Sequence, residues 1–108
     1  MKTLLAAFLA VSTMSPAPAS DTFTGTVSDD MCAAAGHASM RMGPTDAECT
    51  NACVGIHGSS YVLVSGKNVY VLSDQKSPEK FAAARVRVVG TLDARTKTIT
   101  VESIVAAR

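Results

Sequence analysis

The sequence predicts a mainly β fold with some helix, in which five strands form a small barrel. Three observations support this prediction. Short apolar or alternating runs recur between residues 22 and 101, and turn-forming residues separate them. The strongest helix signals lie between the first two runs, and a weaker helix signal lies between the third and the fourth.

The first strand is predicted over residues 22–27, where apolar and polar residues alternate. Phe23 and Val27 fall on one face of this strand and the threonines fall on the other. Gly25 marks a place where the strand bends or where another backbone approaches closely. The first strand therefore has one face suited to a core.

The second and third strands are predicted at residues 61–64 and 69–72, because the segment between them has the length and composition of a hairpin turn. Ser77, Pro78 and Glu79 then provide an N-cap, a proline at the first helical position and an acid in the first turn, so a short helix is expected over residues 77–84. Alternation returns at residues 85–92 and 98–101, which gives the fourth and fifth strands.

This order of elements is the order of an oligonucleotide/oligosaccharide-binding (OB) barrel, which has five strands and presents a binding face between its loops. We therefore predict an OB-fold-like barrel with a helical insertion between strands 1 and 2 and a short helix between strands 3 and 4. A generic five-stranded α+β domain is the alternative.

The insertion, residues 28–60, is predicted to contain two helical segments. One or two turns follow an aspartate cap at residue 29 and end at Gly36. A longer helix over residues 46–57 follows the capping box that Thr45 and Glu48 form, and it stops at Gly58.

Within the longer helix, Cys49, Ala52, Cys53 and Ile56 follow the spacing of one helix face. The second strand is apolar at nearly every position, so both of its faces need cover. We therefore expect the helix to lie over the sheet with this stripe buried, and Asn51 to lie on the exposed face.

The first 19 residues have the features of a cleaved signal peptide: a lysine at position 2, a short apolar run, and a small-x-small ending at Ala19. We predict cleavage after Ala19 and one mature domain over residues 20–108, periplasmic or secreted. The apolar run is too short for a transmembrane segment, and none is expected elsewhere.

Composition disfavours several functions. Without Lys2, the nine remaining Lys and Arg residues equal the nine Asp and Glu residues, so no nucleic-acid partner is expected. No nucleophile motif or phosphate-binding loop is present in the sequence, and Asp29 and Asp30 are explained as a helix cap. We therefore predict that the protein is not an enzyme.

Several segments together resemble an uncharacterised family of small exported bacterial proteins with an OB-fold-like barrel and a Cys/His-containing insertion. The resemblance covers nearly the whole mature chain and implies a scaffold without implying an activity. The segments that carry it are residues 23–29, Met31, Cys32, His37, Cys49, Cys53, Val54, and residues 61–64 and 86–92.

The motif Cys32-x4-His37-x11-Cys49-x3-Cys53 is the main candidate site. Small exported domains commonly carry disulfides, so a bond from Cys32 to Cys49 or to Cys53 is one interpretation, worth about 3 kcal/mol of stability. A bond between Cys49 and Cys53 would distort the helix, because residues at i and i+4 hold their Cβ atoms too far apart. Either favoured bond leaves one of the three cysteines outside the disulfide.

The second interpretation of the motif is a metal site. Two thiolates one helical turn apart, with Cys32 and His37, provide three sulfurs and one nitrogen for a tetrahedral ion. Met40 and Met42 add thioethers, which suit copper(I) better than zinc. His57, at the end of the helix, is interpreted as a partner of the helix dipole.

The protein is accordingly predicted to be an exported, non-enzymatic barrel. Its Cys/His cluster either crosslinks the fold through a disulfide or binds a soft metal, copper or zinc. The alternative is a disulfide-stabilised periplasmic binding module that takes a small ligand or an envelope protein on the barrel face.

Overall fold

A computed structural model of the chain describes residues 19–39 and 41–107, together with residues 3, 6, 7 and 10. The predicted leader lies mostly outside the described residues. Within the described part, no helix has both the length and the apolar character needed to cross a bilayer. The elements are β1 (Asp21–Asp29), α1 (Asp30–Ala35), α2 (Asp46–His57), β2 (Tyr61–Ser65), β3 (Asn68–Leu72), a 3₁₀ helix (Ser77–Phe81), β4 (Arg85–Asp93) and β5 (Thr98–Ala106).

The five strands form one mixed sheet that closes in a ring in the order β1-β2-β3-β5-β4. β1 closes the ring because its first half pairs with β4 and its second half pairs with β2. All pairs are antiparallel except β3 and β5, which run parallel where Val71 and Leu72 face Thr98 and Ile99. The predicted mainly β fold with five strands is thus confirmed.

β1 is three residues longer than predicted, and β2, β3 and β4 are each one residue longer. The helix after β3 and strand β5 also differ from the prediction. The helix between β3 and β4 is a 3₁₀ helix that ends at Phe81 instead of residue 84, because Ala82 has an extended ψ of 131° and Ala83 a positive φ of 62°, neither of which fits a helix. β5 continues to Ala106, where it pairs with Val86 of β4. Pairing with the neighbouring strand, rather than alternation in its own sequence, sets its end.

The core lies inside the ring and is mostly aliphatic. Phe23, which shares the predicted core face of β1 with the fully buried Val27, is partly buried and packs against this core. The buried residues of this core are Val27, Tyr61, Leu63, Leu72, Val86, Val88 and Ile99.

Both glycines of the strands stand where backbones approach closely. A Cβ at Gly25 would overlap the carbonyl oxygen of Val64, and a Cβ at Gly90 would overlap that of Thr100. Gly90 also follows a shift in the β4–β5 register at Val89. The prediction of close approach at Gly25 is confirmed.

The two helices of the insertion begin and end where their capping residues predict. The Asp29 side chain accepts the backbone N–H of Cys32 at the start of α1, and Gly36 follows the last residue of that helix. Thr45 accepts the N–H of Glu48 at the start of α2, and Gly58 ends the helix in the left-handed region with φ 67°.

The predicted orientation of α2 is only partly correct. Cys49 and Cys53 are buried as predicted, but Ile56 is 70 % exposed and Thr50 is buried instead. The reason is a contact on the side that was predicted to face solvent: Asn51 Oδ1 accepts the Tyr61 hydroxyl at 2.7 Å, and Asn51 Nδ2 donates to the Glu79 carbonyl. These bonds turn Asn51 toward the ring and move Ile56 away from it.

Substitutions at these two positions of α2 are therefore expected to have unequal effects on stability, with the larger loss at Asn51. Ile56→Ala should change the free energy of unfolding by less than about 0.5 kcal/mol, because the side chain is mostly in water. Asn51→Ala should destabilise by about 1 to 2 kcal/mol, because the partly buried Tyr61 hydroxyl loses its acceptor. Urea unfolding of both variants tests this, and a larger loss for Ile56→Ala would contradict the orientation of α2.

Candidate metal centre

The three cysteines form a second, smaller core between α1 and α2. Cys32 lies on α1, Cys49 and Cys53 lie on α2, and their exposed fractions are 4 %, 0 % and 0 %. The half-buried side chain of Met42 packs against them. The helix caps place this cluster, because they fix where each helix begins and therefore which way its cysteines point.

The sulfur atoms are close together without being bonded. Cys32 Sγ lies 3.6 Å from Cys49 Sγ and 3.8 Å from Cys53 Sγ. A disulfide requires about 2.05 Å, and the structure has none among the described cysteines. The disulfide from Cys32 stays a prediction, and the geometry gives Cys32 two equally near partners.

His37 meets the cluster as the motif predicts. The loop after α1 brings a ring nitrogen of His37 within 4.8 Å of the sulfurs of Cys32 and Cys49. The ring hydrogen-bonds Cys49. His37 Nδ1 is buried and has no hydrogen-bond partner. A donor set of two sulfurs and one imidazole nitrogen is thus assembled.

The electrostatic environments of the three thiols differ. The hydrogen bond from His37 lowers the pKa of Cys49, assisted by the Met42 backbone N–H, which donates to Cys49 Sγ at 3.3 Å. Burial raises the pKa of Cys32, as does its hydrogen bond with Asp29. Burial also raises the pKa of Cys53. Cys49 is therefore the thiol that ionises most readily.

Asp29 also belongs to this site, although the sequence predicted it only as a helix cap. Its carboxylate is completely buried, and one carboxylate oxygen lies within 4.8 Å of the sulfurs of Cys32 and Cys53. Oδ2 caps α1 and accepts the Ser59 hydroxyl at 3.2 Å. Oδ1 has no hydrogen-bond partner. The Asp-x-x-Cys spacing, which places a cap oxygen beside the cysteine it caps, is the signal that could have identified Asp29.

The four predicted ligands do not converge on a single point. The described residues provide two groups of three possible ligands, Cys32 with His37 and Cys49, and Cys32 with Asp29 and Cys53. Cys49 and Cys53 occur in different groups, and Cys32 belongs to both. The arrangement is therefore a pair of adjoining three-ligand groups with one shared sulfur.

Met42 and the second histidine, His57, lie at the edge of the cluster. Met42 contacts the cysteines and also meets His57, whose Nε2 lies 2.9 Å from Met42 Sδ. His57 is the last residue of α2, as predicted, but it contacts this thioether as well. Met40 lies outside the described residues.

Comparison of the chain with known proteins gives no relative from which a function could be transferred. No protein-family model, curated protein or solved structure matches it. The resemblance to a family of exported proteins stays a prediction.

Proposed function

We propose that the protein is exported, has no enzymatic activity, and binds a soft metal ion, copper(I) or zinc, at the cluster of Cys32, His37, Cys49 and Cys53. The observation that carries this proposal is the spacing of the sulfurs. Ligands arranged tetrahedrally at about 2.3 Å from a zinc ion lie about 3.8 Å from one another. Cys32 has two sulfurs at that separation, 3.6 Å and 3.8 Å away.

The donor types support the same proposal. Thiolate and imidazole are ligands that both copper(I) and zinc accept. The thioether of Met42, packed on the cluster, favours copper(I). A disulfide from Cys32 would leave His37 without a role, whereas an ion bound by Cys32 and Cys49 has the His37 ring nitrogen within reach as a third ligand.

We further infer that the ring is an OB-fold-like barrel that serves as the scaffold of this cluster. The position of a short helix between β3 and β4 supports this inference. So does the placement of the cluster in the loop that follows β1, since OB barrels bind ligands through that loop.

The proposal is tested with protein exported from a Gram-negative host with its leader. The intact mass should correspond to a chain that begins at Ser20. Purified anaerobically and without added reductant, the protein should have three reduced thiols and bind at least about one equivalent of copper(I) or zinc. His37→Ala should weaken zinc binding at least about tenfold, because a ligand has been removed.

His57→Ala is the matched control, because His57 belongs to neither described ligand group and its Nε2 lies against the thioether of Met42, a sulfur that zinc does not favour. Zinc affinity should be the same in this variant and in the wild type. A single reactive thiol together with no bound metal would overturn the proposal. That result would leave the disulfide-stabilised binding module, with a small ligand or an envelope protein on the barrel face.

A further inference from the structure

We propose that the cluster holds a second metal ion, in which Asp29, Cys32 and Cys53 bind zinc beside the ion bound by Cys32, His37 and Cys49. The thiolate of Cys32 then bridges the two ions. This inference rests on the proposed function and adds to it a carboxylate ligand, a stoichiometry and a preference for zinc at the second position.

The first argument is the division of the ligands. An ion bound by Cys32 and Cys49 has His37 within reach, and an ion bound by Cys32 and Cys53 has the Asp29 carboxylate within reach. No group within the described range contains both Cys49 and Cys53. One ion therefore leaves either His37 and Cys49 or Asp29 and Cys53 without a metal.

The second argument is the buried state of Asp29. Its side chain is fully shielded from solvent, and Oδ1 has no hydrogen-bond partner. A buried polar atom without a partner is costly, and a buried ionised carboxylate is costlier still unless a cation compensates it. The ion pair found in the described part of the chain joins Arg41 and Asp46, at the surface. A metal ion bound by the Asp29 carboxylate, one oxygen of which lies within 4.8 Å of the sulfurs of Cys32 and Cys53, would supply the missing positive charge.

The third argument is the charge of the ligand set. The thiolates of Cys32, Cys49 and Cys53 together with the carboxylate of Asp29 carry four negative charges, and His37 is a neutral ligand. Two zinc ions balance these charges, so all five ligands can bind metal in their deprotonated or neutral ligand forms without a net buried charge. The carboxylate oxygen also indicates which metal occupies the second position, since oxygen ligands suit zinc and soft sulfur ligands suit copper(I).

The test is the zinc stoichiometry of the full mature chain, measured by native mass spectrometry and by elemental analysis. The wild type should bind about two equivalents. Asp29→Asn should bind about one equivalent, because asparagine caps a helix as well as aspartate does but lacks the charge. Asp30→Asn is the matched control: Asp30 is the adjacent acid and bonds the same Ser59 hydroxyl, yet it belongs to neither group. This control should bind about two equivalents.

Each other result has a defined meaning. A wild type that binds about one equivalent, unchanged in Asp29→Asn, would overturn the second ion and leave the proposed function intact. No zinc or copper(I) bound by the wild type would overturn the proposed function itself. Two equivalents in Asp29→Asn would place the second ion elsewhere and overturn this inference. If Asp29→Asn does not fold, Cys53→Ser decides: about one equivalent supports the inference and about two overturns it.

Discussion

Cys32→Ser should abolish metal binding by the whole cluster, because Cys32 is the one ligand that both three-ligand groups share. Removing a residue that only hydrogen-bonds a metal ligand already lowers the metal affinity by about 10- to 100-fold. The loss of a sulfur that serves both groups should therefore exceed about 100-fold for zinc. Competition with a zinc chelator of known affinity measures this loss, and the folded state of the variant is checked by circular dichroism.

Cys49→Ser and Cys53→Ser are the matched comparisons, because each removes a thiol that belongs to one group alone. Each variant should keep part of the zinc that the wild type binds. If all three serine variants lost binding to the same extent, the cysteines would be equivalent ligands of a single ion, and the special position of Cys32 would be contradicted.

Gly90→Ala should destabilise the protein by about 3 kcal/mol or more, because a methyl group there would collide with the backbone carbonyl of Thr100 on the paired strand. A backbone atom cannot move aside as a side chain can. β4 and β5 would have to separate at the register shift beside Val89. Urea unfolding in the presence of a chelator measures the effect on the ring without a contribution from bound metal.

Gly55→Ala is the control for this substitution. Gly55 lies within α2, and a Cβ at this position meets nothing within 4 Å. Alanine should stabilise the helix by about 0.5 to 1 kcal/mol. Unfolding midpoints that fall by similar amounts in the two variants would contradict the close approach at Gly90.

Local sequence signals predicted the elements of the fold well. Thr45 and Gly58 defined both ends of α2, because capping depends on neighbouring residues alone. The alternation of Phe23 and Val27 placed β1 correctly against the core for the same reason. The closure of the ring depends on which strands meet, and the parallel pairing of β3 with β5 left no signal in the sequence of either strand.

The sequence predicted most residues of the candidate site but not their arrangement. Cys32, Cys49 and His37 come together as the motif indicates. The sequence did not predict Asp29 as part of the site, because a role as helix cap already explains an aspartate at this position. Capping uses only one of its two carboxylate oxygens. The exposure of Ile56 was missed because hydrophobic periodicity gave no weight to a polar contact such as that between Asn51 and Tyr61.

The part of the insertion between Asp29 and Tyr61, residues 30–60, leaves β1 and enters β2 where these two residues pair across the strands. Its ends are joined again by the Asp30 N–H, which donates to the Ser60 carbonyl at 3.0 Å. A segment whose ends lie one strand spacing apart is a module that can be transplanted onto another hairpin, with Cys32, His37, Cys49 and Cys53 all inside it. Asp29 would remain behind, as the last residue of β1. A transplanted segment would therefore bind only the ion held by Cys32, His37 and Cys49. The ion held by Asp29, Cys32 and Cys53 would link the segment to β1 of its own barrel.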